Sequence, residues 1–292
     1  TTAFYITFPF DALVLPSDTF FYLRDVIELV RAWGIPTIVV QKESGVSAKS
    51  LADHATDLKR WFPFSGDLMT VCSQKSKDFW VAAGTRPDQV EIPGQPRFDV
   101  YHNGGEGANL AALGVRVCAE RPVLLFLSYD LDAYAEERAR GESHRPWQQL
   151  HDDTERVLLS LAAEGSYTLA IKPHPQQAAT HLAALRERLA FAPNTFVLPP
   201  EADTRSLILS ADVVVGFQTT AIAEAMVAGK RVVYTCWTAH VDKVRALLLP
   251  FHEMADAIDV ATSPEDLRTR LMLRQFAVSP MVRAKRLQYG EP

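Results

Sequence analysis

Residues 211–229 read ADVVVGFQTTAIAEAMVAG. A short apolar run, Asp212 to Gly216, leads into Phe217-Gln218-Thr219-Thr220 and then into a segment with small and apolar residues on one side. That is the pattern of a buried parallel strand, a tight turn and a helix whose first turn points free N–H groups beyond the carboxyl end of the strand. Such a helix start suits a phosphate, because the helix dipole favours negative charge there. Gln218, Thr219 and Thr220 add side-chain donors to the backbone amides. Glu224 follows four residues after Thr220, one helical turn on, where a carboxylate can accept hydrogen bonds from ribose hydroxyls. The plainer alternative is that a threonine caps the helix and Glu224 is a surface or salt-bridged residue.

Outward from this stretch the chain alternates strand and helix patterns. Residues 4–16 are apolar and close at Pro16-Ser17-Asp18, Thr19 to Trp33 has helical spacing ended by Gly34, and Ile35 to Val40 is the next buried strand. At its carboxyl edge stand Gln41, Lys42 and Glu43, where open α/β sheets place ligand contacts. Strand patterns at 68–72 and 89–92 alternate with helical ones, Ser47 to Trp61 and Ser76 to Ala83. Residues 101–121 carry little periodicity and read as a linker between a domain at 1–100 and another at 122–292.

The second half restarts with Val123 to Ser128, then a charged stretch from Asp130 to Arg145 and a helix from Trp147 to Glu164. Tyr167 to Ile171 is a strand that ends in Lys172-Pro173-His174-Pro175. Two prolines around one histidine fix the backbone on both sides of it and so aim the imidazole. A positioned His174 can donate to a phosphate oxygen and Lys172 can add a point charge, together stabilising a departing anion. Helices are expected at 178–189, 204–210, 240–249, 267–276 and 281–287, and strands at 196–198 and 231–236. The sum is an α/β protein of two doubly wound, Rossmann-like halves facing a cleft.

The bulk properties agree. The chain has 292 residues, 48% hydrophobic and 22% charged, enough for two domains of ordinary size. A net charge of −5 and the lack of a basic stripe interleaved with aromatics exclude a general nucleic-acid binder. Cys72, Cys118 and Cys236 show no metal spacing and fit a reducing, cytoplasmic setting. No apolar run is long enough to span a bilayer. The chain opens on Thr1 and closes on Tyr289-Gly290-Glu291-Pro292, as expected of a piece trimmed from a longer protein.

The phrases IKPHP, ADVVVGFQTTAIAEAMVAGKRVVY and VEIPGQPRFD resemble GT-B glycosyltransferases of bacterial surface and capsular polysaccharide assembly. The pattern is most like the CDP-glycerol glycerophosphotransferase and capsule Kdo-transferase families, with non-hydrolysing UDP-GlcNAc 2-epimerases more distant. The resemblance runs over residues 11–290. It implies that His174, Thr219 and Thr220 meet the donor's phosphates and that Glu224 holds its ribose. It further implies a CMP-, CDP- or UDP-linked donor, a glycan or lipid-linked glycan acceptor, and no metal or other cofactor.

Many relatives carry His-Gly after the second strand, whereas this chain has Gln41-Lys42-Glu43. A base for the acceptor hydroxyl is therefore sought from the opposite wall: Glu43 first, Asp18 second, each with a capping or surface role as its alternative. Arg97 and Asp99 either brace the hinge or touch the donor. Asp130-Leu131-Asp132 matches a metal-binding DxD literally but lies in the charged stretch. Arg268, Arg270, Arg274, Arg283, Lys285 and Arg286 cluster among apolar residues. They make either a contact with an anionic membrane at its inner face or a solvated helix face, the commoner case. The reading is an enzyme transferring a sugar or polyol phosphate from a nucleotide-activated donor to a surface glycan. The alternatives are an epimerase acting on the donor alone and an inactive nucleotide-sugar-binding module.

Overall fold

The computed structural model describes residues 7–41, 48–129, 147–175, 177–238, 241–242, 245, 248–279 and 281–282. The described chain divides into two compact units, one up to Arg97 and one from Phe98.

The first unit holds β1 (Leu13–Leu15), α1 (Phe21–Ala32), β2 (Thr37–Val40), α2 (Ala48–Trp61), β3 (Leu68–Thr70), α3 (Gln74–Ala82) and β4 (Val90–Glu91). Its strands are all parallel and lie in the order in which they occur along the chain. Within the apolar run at the start of the chain, only Leu13–Leu15 is strand among the described residues; Pro9 and Asp11 interrupt what precedes it. Helix α1 stops because Gly34 adopts φ +71°, a conformation that costs other residues and is open to glycine. Leu58, Met69, Val71, Trp80 and Val90 form the core of this unit.

The second unit begins with α4 (Asp99–His102) and a stretch, to residue 122, that packs on its own sheet: Leu110 and Val115 are buried in the core, and Ala108 bonds to Ser206 and Ser210. There follow β5 (Val123–Leu127), α5 (Gln148–Ala163), β6 (Thr168–Lys172), α6 (Ala179–Leu189), β7 (Thr195–Val197), α7 (Thr204–Ser210), β8 (Val213–Gly216), α8 (Ala221–Val227), β9 (Arg231–Thr235), β10 (Asp259–Ala261) and α9 (Pro264–Met272). The six strands are parallel and ordered β7-β6-β5-β8-β9-β10. Counted from β5, that is 3-2-1-4-5-6, the order of a doubly wound dinucleotide-binding sheet.

Every residue of β5, β6, β8 and β9 is buried, which is why these segments read as unbroken apolar runs rather than alternating ones. Each fully buried Leu, Ile, Val or Phe contributes about 1.5–3 kcal/mol, so the central strands anchor this unit. Local chemistry sets the helix starts: Asp203 accepts from the Ser206 N–H at 3.0 Å to open α7, and Ser263 accepts from the Asp266 N–H at 3.1 Å, with Pro264 behind it, to open α9. The sequence left β10 unassigned. It is a three-residue edge strand, too short to carry a period.

Candidate functional site

The order 3-2-1-4-5-6 puts the topological switch between β5 and β8, and ligands of such sheets lie beyond the carboxyl ends there. Three chain segments leave that edge side by side. After β5 come Ser128 and Tyr129, after β6 come Pro173 and His174, and after β8 come Phe217 to Thr220. The His174 turn and the Thr219-Thr220 turn therefore share one edge of one sheet with β5 between them. Two strand spacings separate their strands, about 10 Å.

Phe217 anchors the β8 turn from below. It is fully buried, stacks on Tyr234 at 5.7 Å between ring centroids, and lies 5.0 Å from Trp147 and 5.4 Å from Tyr129. Gln218 then adopts φ +45°, uncommon for a residue with a side chain. Its amide compensates: Nε2 donates to the Tyr234 hydroxyl at 2.6 Å and to the Leu249 carbonyl at 3.4 Å, and Oε1 accepts from the Leu249 N–H at 2.9 Å. The residue expected to offer donors to a phosphate thus braces the turn. Thr219 Oγ1 accepts from the Ala221 N–H at 3.3 Å. Thr220 stands at the N-cap of α8 without a capping side-chain bond, so the plain capping alternative fits the Thr219 hydroxyl and not that of Thr220.

Lys172 differs from its expected role as an open point charge. It is buried at the end of β6, where Nζ donates to the Pro200 carbonyl at 2.6 Å and to the Pro173 carbonyl at 3.0 Å. Burial pushes its pKa below the ordinary lysine value, against the pull of Glu201 and Asp203. A cation withdrawn from water spends its protons on carbonyls, and here that ties the turn carrying His174 to the chain after β7. Glu224 is 1% exposed and accepts a hydrogen bond at 2.7 Å from the hydroxyl of Tyr101. It faces inward, as neither a surface residue nor an open carboxylate.

Asp18, the second candidate for a base, is fully buried in the first unit and accepts from the Ser65 N–H at 2.9 Å and hydroxyl at 3.3 Å. It is not a surface carboxylate; it fastens the Ser65 turn, whereas a general base must reach its proton within hydrogen-bond distance. Glu43, Asp130 and Asp132 lie outside the described residues. Of the basic cluster, Arg268 pairs with Glu164, Arg270 with Asp259 and Asp266, and Arg274 donates to the Ser166 carbonyl; residues 283–286 are outside the description. These arginines brace the fold. No helix among the described residues is long and apolar enough to cross a membrane.

Sequence reasoning missed Ser128 and His151. Ser128 Oγ lies 3.1 Å from His151 Nε2, and His151 Nδ1 lies 3.4 Å from Asp152 Oδ1. The imidazole packs edge-on to Tyr129 at 5.2 Å. Hydrogen bonding from His151 holds the Asp152 carboxyl below its ordinary value. The only sequence signal was a serine closing an apolar strand at what proves to be the switch point.

No protein-family model and no curated protein sequence matches this chain. Solved structures do. The chain is similar to HepE of Anabaena in complex with UDP and glucose, at 15% identity over 99% of this chain and 77% of that one, with a TM-score of 0.53. It is similar to the UDP-GlcNAc 2-epimerase of Neisseria meningitidis bound to UDP-GlcNAc, at 13% identity over 98% and 73%, with a TM-score of 0.56. A variant of the wall teichoic acid polymerase TagF matches at 12% identity over 96% and 68%, with a TM-score of 0.59. The fold is GT-B. Both units carry parallel sheets, in keeping with the two Rossmann-like domains of that fold, and at these identities the likeness speaks for the fold alone.

Proposed function

We propose that this chain binds a nucleotide sugar, first of all a UDP-linked one, along the carboxyl edge of the second sheet. We further propose that it is a GT-B glycosyltransferase moving a sugar or polyol phosphate to a surface glycan. The observation that carries the reading is the meeting of the His174 turn and the Thr219-Thr220 turn on one edge, flanking the switch point. In this reading His174 donates to a phosphate oxygen of the departing nucleotide, a diphosphate when a sugar is transferred and a monophosphate when a polyol phosphate is, and the Thr219 and Thr220 hydroxyls join it with the amides that open α8. Lys172 acts by fixing the turn rather than by touching the donor. The Glu224 carboxylate serves the ribose. Glu43 remains the candidate base.

Epimerisation of the donor without an acceptor is the second reading. The likeness to an epimerase bound to UDP-GlcNAc supports it as much as the other likenesses support transfer.

Melting curves with UDP, CDP, CMP and GDP come first. A ligand at a hundred times its Kd stabilises the folded state by about 2.7 kcal/mol, and UDP is expected to raise Tm by several degrees. Product analysis then separates the readings, because an epimerase converts UDP-GlcNAc alone whereas a transferase releases UDP only when an acceptor is present. His174→Ala is expected to fold normally and to lose turnover. Full turnover in that variant, or no shift with any nucleotide, overturns the proposal.

A further inference from the structure

Glu224 sits in the first turn of α8 with 1% of its surface exposed, and its Oε2 takes the Tyr101 hydroxyl at 2.7 Å. Tyr101 comes from α4, 123 residues earlier, and is only part-buried. The two residues belong to the same unit.

A carboxylate withdrawn from water needs a hydrogen-bond donor, and the phenol supplies one. The same contact closes the carboxylate to solutes. A ribose diol must reach the carboxylate oxygens to donate to them, and a side chain with 1% of its surface open gives no approach. Two hydroxyls, one phenolic and one from a sugar, thus compete for Oε2.

We propose that Tyr101 is a stand-in for a ribose hydroxyl: its phenol holds the Glu224 position that the nucleotide takes, and withdraws when the nucleotide binds. This rests on reading the carboxyl edge of the second sheet as a nucleotide site. The exchange replaces one O–H donor by another, so Oε2 of the buried carboxylate has a donor in both states. What moves is a part-buried side chain on a four-residue helix. Tyr167 makes the contrast, being fully buried with its hydroxyl on the Leu271 carbonyl. Competition at Glu224 makes Tyr101 a specificity-determining residue. Ligands with a ribose diol displace it, and those lacking the diol bind with Tyr101 still in place.

The test is calorimetric titration of the whole chain, its Tyr101→Phe variant and its Glu224→Gln variant with UDP and with 2′,3′-dideoxy-UDP. Tyr101→Phe is expected to bind UDP about three- to tenfold more tightly, the range set by one lost hydrogen bond, with dideoxy-UDP unchanged. Glu224→Gln is expected to shrink the preference for UDP over its dideoxy form. Tyr101→Leu, expected to bind like Tyr101→Phe, serves as second variant should the phenyl ring disturb folding. UDP binding that is unchanged or weaker in both Tyr101 variants overturns the proposal, and so does a ribose preference that survives Glu224→Gln; in either case the nucleotide site stands. Absence of binding by UDP and dideoxy-UDP to the unaltered chain overturns the nucleotide reading and this proposal with it.

Discussion

The ammonium of Lys172 donates to the carbonyl oxygen of Pro200, 2.6 Å away, while its own strand leads straight into the His174 turn. One buried cation therefore sets the distance between two loops on the carboxyl edge of the second sheet. Lys172→Met keeps the length of the side chain and leaves two carbonyl oxygens without this donor, at a cost of roughly 1–3 kcal/mol.

The pH dependence of that loss has a definite sign. Burial lowers the Lys172 pKa below its ordinary 10.5. Between the folded value and 10.5 the unfolded chain binds more protons, so the contribution of Lys172 to stability rises with pH across that window. Urea unfolding of the parent and of Lys172→Met, compared from neutral to alkaline pH, is expected to show a gap that widens with pH. A gap independent of pH refutes the account.

Gln218 combines a left-handed backbone with three hydrogen bonds from its amide. Gln218→Ala keeps the strain and loses the bonds, and is expected to cost about 2–3 kcal/mol. Gln218→Gly loses the same bonds but relaxes the backbone, and is expected to recover about 1 kcal/mol of that. Equilibrium denaturation ranks the two. Glycine destabilising as much as alanine would show that the turn carries no strain.

The Ser128–His151–Asp152 chain gives an acid-side expectation. The hydrogen bond from His151 is the largest cause of the depressed Asp152 carboxyl value. That stabilisation is present above the ordinary 3.8 and is lost as pH falls through the folded value. His151→Phe removes it, so between pH 6 and pH 2 the parent is expected to lose more stability than the variant. Asp152 is half-exposed, which keeps the difference small. Parallel curves refute it.

The central sheet of the second unit was legible because strands buried on both faces leave continuous apolar runs, as in Val123–Leu127 and Val213–Gly216. Helix α7 was legible to the residue, since Asp203 caps it and Ala211 ends it in extended backbone. The edge strand Asp259–Ala261 was not, because three residues, two of them only part-buried, carry no period. Residues 101–121 read as a linker for lack of pattern, yet Leu110 and Val115 bury themselves in the core by contacts that no local spacing announces. The site divides in the same way. Its turns were visible as His-Pro and Thr-Thr phrases, but the partners of their side chains were not. Lys172 finds Pro200, Gln218 finds Leu249, Ser128 finds His151 and Glu224 finds Tyr101 at separations of 28, 31, 23 and 123 residues, distances over which sequence pattern is silent.

The pairing of β5 with β8 also bears on how the protein is made. Leu124 lies against Val213, and the Val123 N–H donates to the Asp212 carboxylate across 89 residues. As the ribosome extends the chain, β2, β3 and β4 of the first sheet each find the preceding strand waiting, whereas one flank of β5 stays bare until β8 emerges. An uncovered apolar strand edge invites association with other chains. A nascent chain released before β8 is made, or before β9 covers the other flank of β8, is thus expected to clump.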